Sequence, residues 1–146
     1  TLQVLEVRSD RVLLLGLASR KKDYTLTVYD PPVVAMRFPL RKGMKFSATS
    51  SLKDGSKING LPVHTKDTYE VSINTEGVLR LPHLKLHRTL LIETKVTSNA
   101  LGGVTVTTHQ LQWFSECYGE VVRALSQVNE KQPLFSKALE LRRLSL

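Results

Sequence analysis

The one cysteine of the chain, Cys117, is the first residue whose type could do chemistry. A nucleophilic cysteine needs its thiolate stabilised by a histidine, a basic residue or a helix N-terminus. In the stretch WFSECYGEV its sequence neighbours are instead Glu116 and Tyr118, with Glu120 close by, and nearby carboxylates do not stabilise a thiolate. The sequence therefore predicts that Cys117 is an ordinary residue in a turn between two strands.

Four histidines could bind a metal ion, and two of them, His83 and His87, are four residues apart. That spacing suits a metal site on a helix. However, Pro82 precedes the pair and the next residues resemble a strand, on which the two rings would lie about 13 Å apart. His64 and His109 stand alone in the sequence. We therefore predict no metal site and no cofactor.

Other catalytic motifs are missing from the sequence. The chain has no G-x-S-x-G, no phosphate-binding P-loop and no G-x-G-x-x-G dinucleotide motif. Its aspartates, such as Asp30, Asp54 and Asp67, flank turn-forming residues and form no carboxylate pair. The sequence predicts a protein that is not an enzyme and has no catalytic residues.

Composition restricts the kind of protein and the kind of partner. The length of 146 residues predicts one domain over residues 1–146. A single cysteine excludes a disulfide scaffold, and no apolar run reaches the roughly 18 residues of a membrane-spanning helix. The net charge of +8 favours an anionic partner, although the basic residues are spread along the chain.

The elements that must position any site are predicted to be strands. Apolar and polar residues alternate with a period of two in YTLTVY, TYEVSI and LIETKVT, which is typical of half-buried strands. We predict an all-β fold with little helix: a single antiparallel, strongly curved sheet of about nine to eleven strands, half-barrel or barrel-like. The final segment PLFSKALELRRLSL fits a helix or a strand, and we favour a strand. Turns are predicted at SDR (9–11), YDPP (29–32), RKG (41–43), KDG (53–55), NGLP (59–62), NTEG (74–77), SNALGG (98–103) and SECYG (115–119).

Three stretches carry a resemblance to a known group of proteins. They are YDPPVVAMRFPLRKGMKFSAT, NGLPVHTKDTYEVSINTEGVLRLP and WFSECYGEVVRALSQ. From about Tyr29 to its C-terminus the chain resembles uncharacterised bacterial cell-envelope proteins, often lipoproteins, of the kind found in myxobacteria. The chain departs from that pattern after Trp113-Phe114, where a loop that is often Pro-Gly-like reads Ser115-Glu116-Cys117. The resemblance carries a pattern of aromatic, Gly and Pro residues and no catalytic motif.

The resemblance implies a location and a class of function. We expect a protein of the periplasm, outer membrane or cell surface of a Gram-negative bacterium, delivered by an N-terminal signal that has been removed. By analogy with half-barrels that carry or sense lipids, we expect an apolar or amphiphilic ligand on the concave face of the sheet. An anionic head group would meet basic side chains at the rim.

Seven residues are the candidate ligand-binding residues of this hypothesis. Five would lie on the inner face and two at the rim: Tyr69, Val71, Ile92, Val96 and Trp113, with Arg41 and Lys42. Two alternatives stay open. The chain could be a structural or assembly module that binds other envelope proteins, or a basic barrel that binds nucleic acid, which we consider the weaker of the two.

Overall fold

The computed structural model of the chain describes residues 2–19, 24–100 and 102–144. These residues form eleven β-strands and no helix. The strands are β1 (Leu2–Val7), β2 (Arg11–Ala18), β3 (Leu26–Arg37), β4 (Lys45–Leu52), β5 (Lys57–Ile58), β6 (Leu61–Pro62), β7 (Thr65–Leu81), β8 (Leu84–Ala100), β9 (Thr105–Ser115), β10 (Gly119–Ser126) and β11 (Ala138–Arg143). They form one antiparallel sheet in the order β1-β2-β3-β4-β7-β8-β9-β10-β11, and the short β5 pairs with β3 and β6. The predicted all-β antiparallel fold is confirmed.

Two finer predictions are confirmed at the C-terminal end of the chain. In WFSECYGEV, strand β9 ends at Ser115 and β10 begins at Gly119, so the stretch is strand, turn and strand. Cys117 and Gly119 have φ angles of 69° and 70°, which lets the chain reverse. The segment that fitted both a helix and a strand contains β11, paired with β10.

The predicted turn at YDPP is wrong, because these residues lie inside β3. Leu14 of β2 pairs with Val33 and Gly16 pairs with Val28, so residues 29–32 all lie opposite Leu15. This bulge gives the two prolines a place where no ladder hydrogen bond from their nitrogens is needed. Turn-forming residues thus bend the strand here without ending it.

The predicted turn at NTEG is also wrong, because residues 74–77 continue β7. The side chain of Asn74 donates a hydrogen bond to Glu93 Oε1 on β8 (3.4 Å), which supports the exposed part of the strand. The chain reverses instead at Pro82 and His83, the two residues between β7 and β8. The β7–β8 hairpin is therefore longer than the turn signals indicate.

The chain contains two compact units. The first unit contains residues Thr1–Leu40, Ser47–Tyr69 and Thr97–Val106. Its core is built on Leu14, Val33 and Leu52, with the ring of Tyr29 buried among them. In this unit Gly16 allows β2 and β3 to approach closely, since a Cβ at this position would lie 1.9 Å from the Thr27 carbonyl oxygen.

The second unit contains residues Arg41–Phe46, Glu70–Val96 and Thr107–Leu146. One core cluster of this unit is formed by Leu86 of β8 and by Val121 and Val122 of β10. The partly buried residues packed against it are Leu79, Leu81, Leu84 and Trp113. The inner side chains of the β7–β8 hairpin are thus fixed to β10, which holds the hairpin in place.

Candidate functional site

An open cleft of about 410 Å³ lies beside the β7–β8 hairpin in the second unit. Strand β7 contributes Glu76, Gly77 and Val78, strand β8 contributes His87 and Arg88, and the turn before β4 contributes Lys42. Three of these side chains carry or can carry a positive charge and one carries a negative charge. The cleft is therefore suited to binding an anionic group.

Lys42 reaches the cleft because its turn is bonded to β7. Gly43 adopts a φ of 92°, which closes the turn. The Gly43 amide donates to the Ile73 carbonyl oxygen (2.7 Å), and the Ile73 amide donates to the Met44 carbonyl oxygen (2.9 Å). Ile73 is completely buried, so Lys42 is anchored on a fixed part of β7.

Arg88 reaches the cleft because β8 departs from regular strand geometry. Its φ angle is 56°, a left-handed conformation that a non-glycine residue adopts at a cost of about 1–3 kcal/mol. Leu86 and Thr89 are buried, whereas His87 and Arg88 are both exposed, so two successive side chains face outwards. The Thr89 hydroxyl donates to the Leu86 carbonyl oxygen (3.4 Å) across this irregularity. Strained residues of this kind concentrate at functional sites.

Among the described residues, Glu76 is the one carboxylate that lines the cleft, beside the cations Lys42 and Arg88. Within the described part of the chain, no ion pair involves Lys42, Arg88 or Glu76. Both cationic side chains therefore keep their charge for a ligand. An anion placed between them would gain charge-assisted hydrogen bonds, which are about twice as strong as neutral ones.

The outer face of the hairpin extends this positive surface. Arg80, His83 and Lys85 are exposed, and the sequence has no acidic residue from position 77 to position 92. The inner residues of the same hairpin are the leucines that pack against β10. Because apolar residues face inwards and cations face outwards, the hairpin presents charge while its position is fixed by the core.

The structure places the seven candidate residues in different surroundings. Lys42 lines the cleft, and Arg41 is exposed beside it in the same turn. Val71 and Ile92 are buried core residues of the second unit, with exposed fractions of 5% and 1%. Val96 is half-buried on β8. Of the seven candidate ligand-binding residues, only Lys42 lines the cleft.

Tyr69 and Trp113 pack against core clusters and do not line the cleft. Trp113 packs against the core cluster of Leu86 and its neighbours on β10. Tyr69 belongs to the first unit, where its hydroxyl lies 2.9 Å from the hydroxyl of Tyr29. The Tyr29 hydroxyl is also 2.8 Å from Asp67 Oδ2, to which it donates. The three side chains form a polar cluster in which Tyr29 and Asp67 are buried and Tyr69 is partly buried.

Burial governs the chemistry of this cluster. Burial raises the pKa of Tyr69 to about 12, and burial together with Tyr69 and Asp67 raises the pKa of Tyr29 further. Both phenols are therefore neutral hydrogen-bonding groups at ordinary pH. Among the described residues Asp67 Oδ1 has no hydrogen-bond partner. The arrangement is a polar network of the first unit that joins Tyr29, Asp67 and Tyr69.

The other residues that were considered for chemistry lie apart from the cleft or act singly. Cys117 is exposed at the β9–β10 turn. His109 is buried, and its Nε2 lies 3.1 Å from the Glu130 carbonyl oxygen. Residues 2–19, 24–100 and 102–144 contain no group of three or more His, Cys, Asp or Glu side chains that could hold a metal ion.

Sequence reasoning did not identify Arg88, His87, Glu76 or Val78 as binding residues. A signal for Arg88 was present in LKLHRTLL. Leu84 and Leu86 assign even-numbered positions to the inner face, and an arginine at position 88 contradicts that alternation. A charged residue in an inward position indicates a bulge, which is what places Arg88 at the surface.

Comparisons of this chain with protein-family models, with curated proteins and with solved structures found no match. The described residues include no helix of sufficient length and apolar character to span a membrane.

Proposed function

We propose that this chain is a non-enzymatic bacterial envelope protein that binds an anionic amphiphile through its head group. The observation that carries the proposal is the cleft lined by Lys42, Glu76, His87 and Arg88. Among the described residues, neither Lys42 nor Arg88 belongs to an ion pair. A phosphate or carboxylate head group is the ligand chemistry that such a pair recognises. The envelope location rests on the sequence resemblance.

In this proposal the apolar part of the ligand does not lie against the inner-face residues that the sequence predicted. Val71 and Ile92 are buried in the core, so an acyl chain there would have to displace packed side chains. Val78 lines the cleft and is 50% exposed. The head group therefore supplies most of the recognition, and the acyl chain stays largely in the membrane or micelle that presents it.

The test is binding to vesicles of zwitterionic lipid with and without about one fifth anionic lipid, for the natural chain and for Lys42→Gln/Arg88→Gly. Each cation near an anionic surface contributes about 1 kcal/mol, so removing two should weaken binding about thirtyfold. Glycine is used at position 88 because it accepts the left-handed backbone, so this change should not lower the free energy of unfolding. Co-sedimentation or fluorescence titration measures the binding.

The matched control is Lys131→Gln/Lys137→Gln, which removes the same charge from exposed positions of the same unit. The control should change binding by less than about threefold, because neither lysine lines the cleft and salt screens exposed charges. Equal weakening by both double variants would contradict the cleft and indicate nonspecific attraction. Competition by inorganic phosphate would show that the head group alone is recognised, whereas competition by micelles only would show that the acyl chain is also needed.

A single-stranded oligonucleotide is included as a third ligand to test the nucleic-acid alternative. Phosphate contacts to nucleic acid release counterions, so such binding falls steeply with salt. Binding to the oligonucleotide that is tighter than binding to anionic vesicles, and that is lost in the cleft variant, would replace the amphiphile with a nucleic acid as the ligand.

A further inference from the structure

Strand β11 is an edge strand whose outer side is uncovered in the described structure. It pairs with β10, and no other described strand lies next to it. All six of its residues are exposed, and Leu139 and Leu141 are each 65% exposed. An edge strand with exposed leucines is a template for pairing with another strand.

The outward-facing backbone groups of β11 can be assigned from its register. The Leu144 amide donates to the Val121 carbonyl oxygen (2.7 Å), which turns the backbone groups of Leu144 towards β10. In an antiparallel pair, residues alternate between hydrogen-bonding to the partner and pointing away from it. Arg142 therefore also turns towards β10, whereas the N–H and C=O groups of Leu141 and Arg143 face the open edge.

The side chains of β11 are complementary to a second copy of the same strand. In an antiparallel pair centred on Leu141, the two Leu141 residues face each other and exchange their outward backbone hydrogen bonds. In the same register, Glu140 of each copy lies opposite Arg142 of the other. Within one chain Glu140 and Arg142 already form an ion pair on one face of β11, so the charges are correctly placed.

We infer that β11 is the interface of a symmetric homodimer, in which two copies of the chain join edge to edge through this strand. The occupant of the edge is a second copy because charge and backbone polarity match in one self-complementary register. A two-fold interface requires such self-complementarity. The inference depends on β11 alone and is independent of the ligand in the cleft.

The test measures association of the full chain by analytical ultracentrifugation from about 10 µM to about 1 mM, a range suited to a small interface. We expect a monomer–dimer equilibrium for the natural chain. Arg142→Glu and Glu140→Arg each turn two opposite-charge pairs into two like-charge pairs. Each variant alone should therefore raise the dissociation constant about tenfold or more.

The decisive measurement mixes the two variants. One variant has only arginine at positions 140 and 142 and the other has only glutamate, so the mixture should form a 1:1 heterodimer while each component alone stays monomeric. Lys137→Glu, a charge reversal just outside the strand, should leave the natural dimer unchanged. A natural chain that remains monomeric at 1 mM would overturn the inference. Dimers that persist in both single variants would also overturn it, since another surface would then be responsible.

Discussion

Arg88 shows how a single residue can be both unfavourable for the backbone and useful for the protein. Its left-handed φ of 56° costs free energy that a glycine would not cost. Arg88 in this conformation is exposed and lines the cleft together with Lys42. In the proposed function, this backbone cost at Arg88 accompanies the exposure of a guanidinium that lines the cleft.

The phenol of Tyr69 leads to a prediction about pH. Because burial raises the pKa of Tyr69 to about 12, the folded chain keeps a phenolic proton that the unfolded chain loses near pH 10. Unfolding therefore releases a proton between these values, and the free energy of unfolding should fall by up to about 1.4 kcal/mol per pH unit for each such tyrosine. Urea unfolding between pH 9 and pH 11 measures this slope.

Tyr69→Phe should make that slope shallower, because the substituted residue has no proton to lose. The matched control is Tyr118→Phe, since Tyr118 is exposed in the β9–β10 turn and its removal should leave the slope unchanged. If Tyr69→Phe and Tyr118→Phe give the same slope as the natural chain, the buried cluster with Asp67 does not control alkaline stability.

At the scale of elements, alternation of apolar and polar residues predicted most strands but not their ends. Thr, Val and Ile at every second position favoured the strands correctly. The residues of YDPP and NTEG signalled turns, yet both stretches continue a strand. The difference depends on cross-strand partners: Leu15 faces the bulge at residues 29–32, and Glu93 supports Asn74. A single sequence does not show which strands will be neighbours, so it cannot distinguish a bulge from a turn.

The candidate site was predictable only in part for the same reason. Lys42 was identified because a basic turn beside Gly43 is visible in the sequence. The contribution of β8 was not identified in the sequence. It depends on residues 87–88 of β8 lining the same cleft as residues 76–78 of β7. Val71 and Ile92 are buried, but alternation along a strand does not reveal whether such positions line a cavity or fill a core.

The close approach of β2 and β3 leads to a prediction at this scale. A methyl group at position 16 would lie 1.9 Å from the Thr27 carbonyl oxygen, and this neighbour is backbone that cannot rotate away. Gly16→Ala should therefore lower the free energy of unfolding by about 1–3 kcal/mol. Chemical denaturation of the purified variant measures the change.

Gly77→Ala is the matched control for this substitution. Gly77 also lies within a strand, but a Cβ there would meet no atom within 4 Å. Its replacement should leave stability unchanged or raise it by about 0.4–1 kcal/mol, through the lower entropy of the unfolded chain. Equal destabilisation by both substitutions would mean that loss of glycine, and not the close approach to Thr27, is responsible.

At the scale of the whole molecule, the net charge of +8 gives the proposed binding a clear dependence on salt. The cations of the cleft and of the hairpin face are exposed, so salt screens them. The screening length falls from about 10 Å at 0.1 M to about 3 Å at 1 M. We expect binding to anionic vesicles to weaken about tenfold or more over this range.

Vesicles of zwitterionic lipid are the control, because they should bind weakly at both salt concentrations. Affinity for anionic vesicles that does not change with salt would show that apolar contacts dominate. In that case the ligand would be held by a surface other than the cleft of Lys42 and Arg88.

The turn between β9 and β10 contains a natural labelling site for spectroscopy. Cys117 is the one cysteine of the chain and is exposed. A maleimide reagent would therefore attach one spin label or fluorophore per molecule without any mutation, and at a turn where a bulky group disturbs no strand. In a symmetric pair of chains the two labels would report a single inter-label distance, and in a monomer they would report none.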